Sequence, residues 1–410
     1  MSKLAINGGN KVRNSSFPAW PHYDETEREA LNRVLDSRNW WANQGTEVKA
    51  FEKEWTKFTD AKASFAVTNG THTLEVIFLA LGIGEGDEVI VADWSFLATI
   101  STILTANAIP KIVDVDPLTG TIDVKQAEAA ITSKTKAVFS SPVLGNPYDY
   151  DRLLEICDKN NIKLIADNCD SLGSKWKDEY LTKHAVAASC SFYPAHHIST
   201  GEGGMVSSND TTFIDTVRSF SWWGRDCYCI GSNNQLPCGT CGNRFDRWLD
   251  GYDGIIDHKY IFANMGYNLK PLDLQGAIGL AQLEKADFID QKRREHKKRL
   301  ENLLKKYLMI RVPDTLPNAD PSWFGVPIIC ETQQQKESLV AHFEDNKIQT
   351  RNYFAGNILL HPGYKHLDDA NKYPLANKAL SHVFILGCPP FWNDKVFNYI
   401  EDVLKSWKQK

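Results

Sequence analysis

A chain of 410 residues is longer than one hydrophobic core usually serves, and at about 100–200 residues per domain it calls for two or three. Its 42% hydrophobic and 24% charged residues describe an ordinary globular protein, and a net charge of −5 with no basic block excludes a nucleic-acid footprint. No apolar run reaches the roughly 18 residues a membrane span requires, and Met1–Arg13 lacks a signal-peptide core, so a cytoplasmic protein with no membrane partner is expected.

The chain opens with a short extended segment, Leu4–Gly9, followed by helical spacing of apolar residues from Thr26 to Asp36 that ends at Asn39-Trp40-Trp41. From Ala63 the pattern becomes strand, turn, helix, repeated. Ser64–Thr68 leads to Thr73–Leu81, Glu88–Ala92 to Phe96–Asn107, Lys111–Val115 to Val124–Thr132, and Ala137–Ser141 to Arg152–Asn160; the alternation ends with Lys163–Ala166. It predicts a mostly parallel sheet covered by helices, with ligands beyond the carboxyl ends of the strands. A long charged helix is expected from Leu274 to about Tyr307, then a smaller α+β unit carrying Ile310–Val312, Trp323–Ile329, Gln333–Asp345 and Gln349–Tyr353. The expected division is a large domain over residues 1–275 and a long helix with a small domain over 276–410.

Three stretches carry chemistry. Thr68-Asn69-Gly70-Thr71-His72 is a glycine turn at a helix start, where freed N–H groups can cradle a phosphate. Cys190 to Gly204 reads as strand, loop, strand, with His196 and His197 in the loop. Cys227-Tyr228-Cys229 and Cys238-Gly239-Thr240-Cys241 gather four of nine cysteines, a spacing that suits zinc or an iron–sulfur cluster better than a disulfide framework.

The loop Ser191-Phe192 through Gly201-Glu202-Gly203-Gly204 resembles the sugar aminotransferases among the fold type I pyridoxal-phosphate (PLP) enzymes, in which a lysine stands where this chain has His196. A histidine cannot form the internal imine, so the resemblance narrows to the sugar 3-dehydratases, which hold their cofactor non-covalently and use the imidazole as acid and base. It implies an aspartate-aminotransferase-like fold and pyridoxamine phosphate (PMP, alternating with PLP) as cofactor. Asp167, at the end of Lys163-Leu164-Ile165-Ala166, would pair with the ring nitrogen, and Asp170 matches the same run. Phe96 would stack on the ring, while Gly70, Thr71 and Ser191 would hold the phosphate. Asn268 would reach the phosphate of the neighbouring subunit in a homodimer, and Arg351 would pair with a nucleotide diphosphate.

Arg225–Cys229 and Cys241–Phe245 further resemble the [2Fe–2S] segment of the CDP-4-keto-6-deoxyglucose 3-dehydrase type. On that match the ligands are Cys169, Cys227, Cys229 and Cys241, with Cys238 an open alternative to Cys241. The implied activity is removal of the carbon-3 hydroxyl of a nucleotide-linked 4-keto-6-deoxyhexose in dideoxysugar biosynthesis, with electrons from an NADH-dependent flavin/iron–sulfur reductase. The alternatives are a self-sufficient GDP-4-keto-6-deoxymannose 3-dehydratase, an ordinary sugar aminotransferase, and a non-catalytic or zinc-stapled scaffold.

Overall fold

The computed structural model describes residues 20–227, 244–245, 249–308 and 310–407. The extended segment expected at 4–9, and Cys229, Cys238 and Cys241, lie outside them. Two helices precede the sheet, α1 (Glu25–Ser37) and α2 (Glu47–Phe58). At α1 the Asp24 carboxylate takes the amide of Thr26 while Glu27 reaches back to the amide of Asp24. No side chain of its own caps α2, which the sequence analysis did not anticipate; the buried carboxylate of Asp273 takes the amides of Thr46, Glu47 and Val48 instead.

The expected alternation follows as β1 (Ala63–Val67), α3 (Gly70–Ala80), β2 (Glu88–Ala92), α4 (Leu97–Thr105), β3 (Ile109–Val113), α5 (Val124–Ala129), β4 (Thr135–Ser140), α6 (Tyr150–Asn160) and β5 (Lys163–Asp167). A small pair, β6 (Lys175–Trp176) and β7 (Glu179–Tyr180), then leads to β8 (Ala187–Ser191), β9 (Gly204–Ser208) and α7 (Thr211–Ser221). Among the described residues, seven strands form the main sheet in the order β1-β9-β8-β5-β4-β2-β3. Only β9 opposes its neighbours, so the mostly parallel sheet is as expected. Its central strands are buried along almost their whole length because helices cover both faces. The third strand begins at Ile109, two residues before the expected Lys111. It takes in Pro110, which an edge strand tolerates and a central one would not.

The single long helix expected from Leu274 is two, α8 (Asp273–Leu283) and α9 (Ala286–Leu308). At the junction Lys285 turns onto both oxygens of Glu27, and Gln282 donates to the same carboxylate, which fastens α1 to this corner. The two glycines of α8 let it lie against α2: a Cβ at Gly276 would stand 2.4 Å from the Val48 nitrogen, and one at Gly279 2.6 Å from the Phe51 ring. Beyond α9 come β10 (Ala319–Asp320), β11 (Gly325–Ile329), α10 (Gln333–Asp345), β12 (Thr350–Asn352), α11 (Pro374–His382), β13 (Val383–Gly387) and α12 (Asp394–Ser406). β11, β13 and β12 form an antiparallel sheet in that order over a second apolar core with α9, α10 and α12. From the expected segment Ile310–Val312, Arg311 forms one antiparallel bridge to Ile329. The buried Asp114 joins the two layers by taking the amides of Leu375 and Ala376 at the start of α11, each at 3.0 Å.

Asp273→Ala removes the acceptor of three amides at the start of α2, and is expected to cost about 2 kcal/mol or more in urea unfolding. A change within about 0.5 kcal/mol, the range of an ordinary surface substitution, would show that the cap is dispensable.

Candidate active site

Because β9 runs antiparallel between β1 and β8, those two strands are parallel to each other, and Gly204 stands opposite both Val67 and Ser191. The turn after β1 is thereby drawn over the end of β8. Asn69 caps α3 by accepting the His72 amide at 2.9 Å, and the helix opens at Gly70. A Cβ at Gly70 would lie 2.5 Å from the Ser191 Cβ, 2.8 Å from its Oγ and 3.3 Å from the Cys169 Sγ. Only glycine fits, and its absence of a side chain brings the helix N-terminus against the Ser191 hydroxyl, donors of the kind that hold a phosphate. Thr71, in the first turn of α3, is exposed beside it.

Asp167 closes β5 and is buried, with only 4% of its surface exposed. Its Oδ2 accepts from the Thr99 hydroxyl at 2.9 Å, and its Oδ1 from the Ser189 hydroxyl at 3.0 Å and the Cys169 amide at 3.3 Å. Neither hydroxyl was singled out in the sequence. Thr99 could have been: it lies one turn into the helix that Phe96 starts, and its amide bonds the Phe96 carbonyl. Phe96 keeps 53% of its surface exposed and meets Phe354 edge to face, with centroids 6.5 Å apart.

His196 lies in the turn after β8, its Nδ1 3.2 Å from Asp170 Oδ1, and both side chains are largely but not wholly enclosed. The phenyl ring of Phe324 packs beside it at 5.6 Å. His197 is a different kind of group: it is buried, with Nε2 3.3 Å from the Ser322 carbonyl. Burial, with the charge of Arg293 and the neighbouring His196, pushes it well below the ordinary imidazole range. Of the two histidines, His196 is the accessible one.

Asn268 is exposed and accepts from the Lys270 amine, while the adjoining Leu269 carbonyl takes the Thr68 amide at 2.9 Å. Around it, Tyr260, Phe262, Met265 and Tyr267 are exposed. Arg351 is exposed on β12 and donates to its neighbour's carbonyl, Thr350 O, rather than to any site residue described above. Cys169 lies behind Gly70, and Cys227 is buried after α7. Among the described residues no three His, Cys, Asp or Glu side chains converge as a metal site, and the other expected ligands, Cys229, Cys238 and Cys241, lie outside them. No helix among the described residues is long and apolar enough to cross a membrane.

Residues 21–405 match the model of the DegT/DnrJ/EryC1/StrS aminotransferase family. The chain belongs to that family. Among DegT/DnrJ/EryC1/StrS relatives it is 34% identical to the lipopolysaccharide biosynthesis protein RfbH of Salmonella typhimurium, over 91% of this chain and 87% of that one. It is 32% identical to the dTDP-4-dehydro-2,6-dideoxy-D-glucose 3-dehydratase of Saccharopolyspora spinosa, over 100% of this chain and 89% of that one. Its fold matches that of an E. coli GDP-4-keto-6-deoxy-D-mannose-3-dehydratase solved with hydrated PLP, with a TM-score of 0.82 at 24% identity over 95% and 99% of the two chains. This is the fold type I architecture of PLP-dependent sugar aminotransferases and dehydratases, as the sequence implied.

In this DegT/DnrJ/EryC1/StrS chain the fold holds His197 neutral, whereas in the unfolded chain it titrates near about 6.5. Its contribution to stability is present in full above that value and is lost as pH falls below it, at up to about 1.4 kcal/mol per pH unit. The urea midpoint is expected to fall between about pH 7.5 and about pH 5, and His197→Asn to fall less steeply over the same range. Parallel slopes would mean that His197 takes up its proton without cost in the fold.

Proposed function

We propose that this chain is a PMP-dependent 3-dehydratase that removes the carbon-3 hydroxyl of a nucleotide-linked 4-keto-6-deoxyhexose. The observation that carries the reading is the His196–Asp170 pair. An imidazole with no amine to offer stands where the resembling aminotransferase pattern has its lysine, with a carboxylate oxygen of Asp170 3.2 Å from its Nδ1. The surroundings suit a pyridine phosphate: a helix start where no Cβ fits, a serine hydroxyl, and a buried strand-end carboxylate. Similarity along the whole chain to a curated 3-dehydratase supports the same reaction class.

When bound, the cofactor supplies an amine for the 4-keto group and a ring that takes up the electrons of the breaking bond. Gly70, Thr71 and Ser191 hold its phosphate at the α3 N-terminus. Asp167 would pair with the ring nitrogen and keep its proton in place, and Phe96 would cover the ring. His196 would serve as acid and base toward the cofactor's 4′ carbon through Nε2, its Nδ1 facing Asp170. Asn268 serves the partner subunit's phosphate, and the exposed aromatic surface around it supports a homodimer with shared sites. Arg351 meets the diphosphate of the substrate, to which its planar fork is suited.

A [2Fe–2S] cluster on Cys169, Cys227, Cys229 and Cys241 completes the proposal, with an NADH-dependent flavin/iron–sulfur reductase as partner. Such a cluster would supply single-electron transfer, which zinc does not. Burial and the charge of Asp167 push the Cys169 thiol well above its ordinary range, so iron binding there would expel a proton.

His196→Asn is expected to retain PMP while slowing solvent exchange of its 4′ proton by about 10²–10⁴-fold, and borohydride is expected to leave no pyridoxyl-lysine in the wild type. Unchanged exchange would assign the base to another residue, and a recovered pyridoxyl-lysine peptide would sink the dehydratase reading and favour an aminotransferase. Cys227→Ser is expected to lower iron and visible absorbance, keep the exchange, and give no 3-deoxy sugar with NADH and a competent reductase. A colourless wild type that forms product without reductase would instead point to a self-sufficient dehydratase.

A further inference from the structure

We propose that Thr99 and Ser189 are positioning residues that fix the Asp167 carboxylate and leave one of its oxygens, Oδ2, open toward the cofactor's ring nitrogen. The inference rests on the PMP reading above. An ionised carboxylate offers about four acceptor sites, two on each oxygen. Three donors occupy three of them: the Ser189 hydroxyl and the Cys169 amide on Oδ1, and the Thr99 hydroxyl on Oδ2. The remaining site is therefore the second one on Oδ2.

Both hydroxyls are sealed from water, Thr99 at 0% and Ser189 at 1% exposure, so the donation to Asp167 has no solvent competitor. They also come from opposite sides. Ser189 is the direct partner of Asp167 across the β5–β8 register, so the sheet itself sets its position. Thr99 comes from the first turn of α4, three residues after Phe96, so the element that presents the ring-covering phenyl also grips the carboxylate. A carboxylate held on both edges cannot rotate about its terminal bond, a torsion that is otherwise broad and soft. The orientation that serves the ring nitrogen is thus set before any ligand arrives, and reorganisation on binding is avoided.

The test uses Thr99→Val, which keeps the branched shape and removes the donor, Thr99→Ser, which keeps the donor, and Ser189→Ala. The probe is PMP labelled with ¹⁵N in the ring and bound to the full-length protein. Thr99→Val and Ser189→Ala are each expected to displace the ring-nitrogen NMR signal from its wild-type position and to weaken PMP binding about tenfold, the usual worth of a hydrogen bond to a charged group. Thr99→Ser is expected to restore the signal. A purely packing role would lower the melting temperature and leave the nitrogen signal in place, and that result overturns the proposal. Should Thr99→Val fail to fold, Ser189→Ala carries the comparison alone. A wild type that binds no PMP overturns the cofactor reading itself, an outcome distinct from a bound ring whose nitrogen ignores both hydroxyls.

Discussion

The reversal of β9 between β1 and β8 is the constraint on which the site depends. It makes β1 and β8 parallel although they are not neighbours, so the turn into α3 and the end of β8 face the same edge of the sheet. The approach is as close as backbones allow: a Cβ on Gly204 would lie 2.5 Å from the Asn69 carbonyl oxygen. Glycine at 204 and glycine at 70 are thus two halves of one condition. One lets the strand pass under the turn, and the other lets the turn meet Ser191.

The carboxylates at the strand ends resolve the cost of burial in different ways. Asp167 is surrounded by donors, and Asp114 spends its charge on two amides at the start of α11. Asp93, at the end of β2, is pushed up to about 7, chiefly by burial, with Asp114 adding to the shift and the Ile358 amide opposing it. Donors thus surround the carboxylates that serve the site and the join between layers, while Asp93 is buried without such a set among the described residues.

Much of this was legible because strand and helix periods alternate cleanly from Ala63 to Asp167, and strands buried on both faces leave few other readings. Gly70, Asp167, Ser191 and His196 were legible because each sits where a strand gives way to a turn. The helix at Glu47–Phe58 was not, since its cap is supplied by Asp273, more than two hundred residues away. Pro110 hid the start of β3 because nothing local says that the strand is an edge. No proline or glycine stands at the break before Ala286 to mark it in the sequence, and it becomes intelligible only once Glu27 is seen to draw Lys285 aside. Ser189 and Thr99 escaped notice for the same reason: hydroxyls are common, and only the fold turns these two toward Asp167.

The carboxy-terminal sheet reaches the site through aromatic contact rather than through charge. Tyr353, immediately after β12, meets Trp94 edge to face at 4.0 Å, and Phe354 meets Phe96 in the same manner. Trp94 and Phe96 flank one short segment between β2 and α4, so any shift of β12 is felt where Phe96 is set, and Thr99 follows within the next turn. Asp114 fastens the same two layers from the neighbouring strand. Such contacts have directional preferences but little angular stiffness. They hold Phe96 in place while leaving half its surface open.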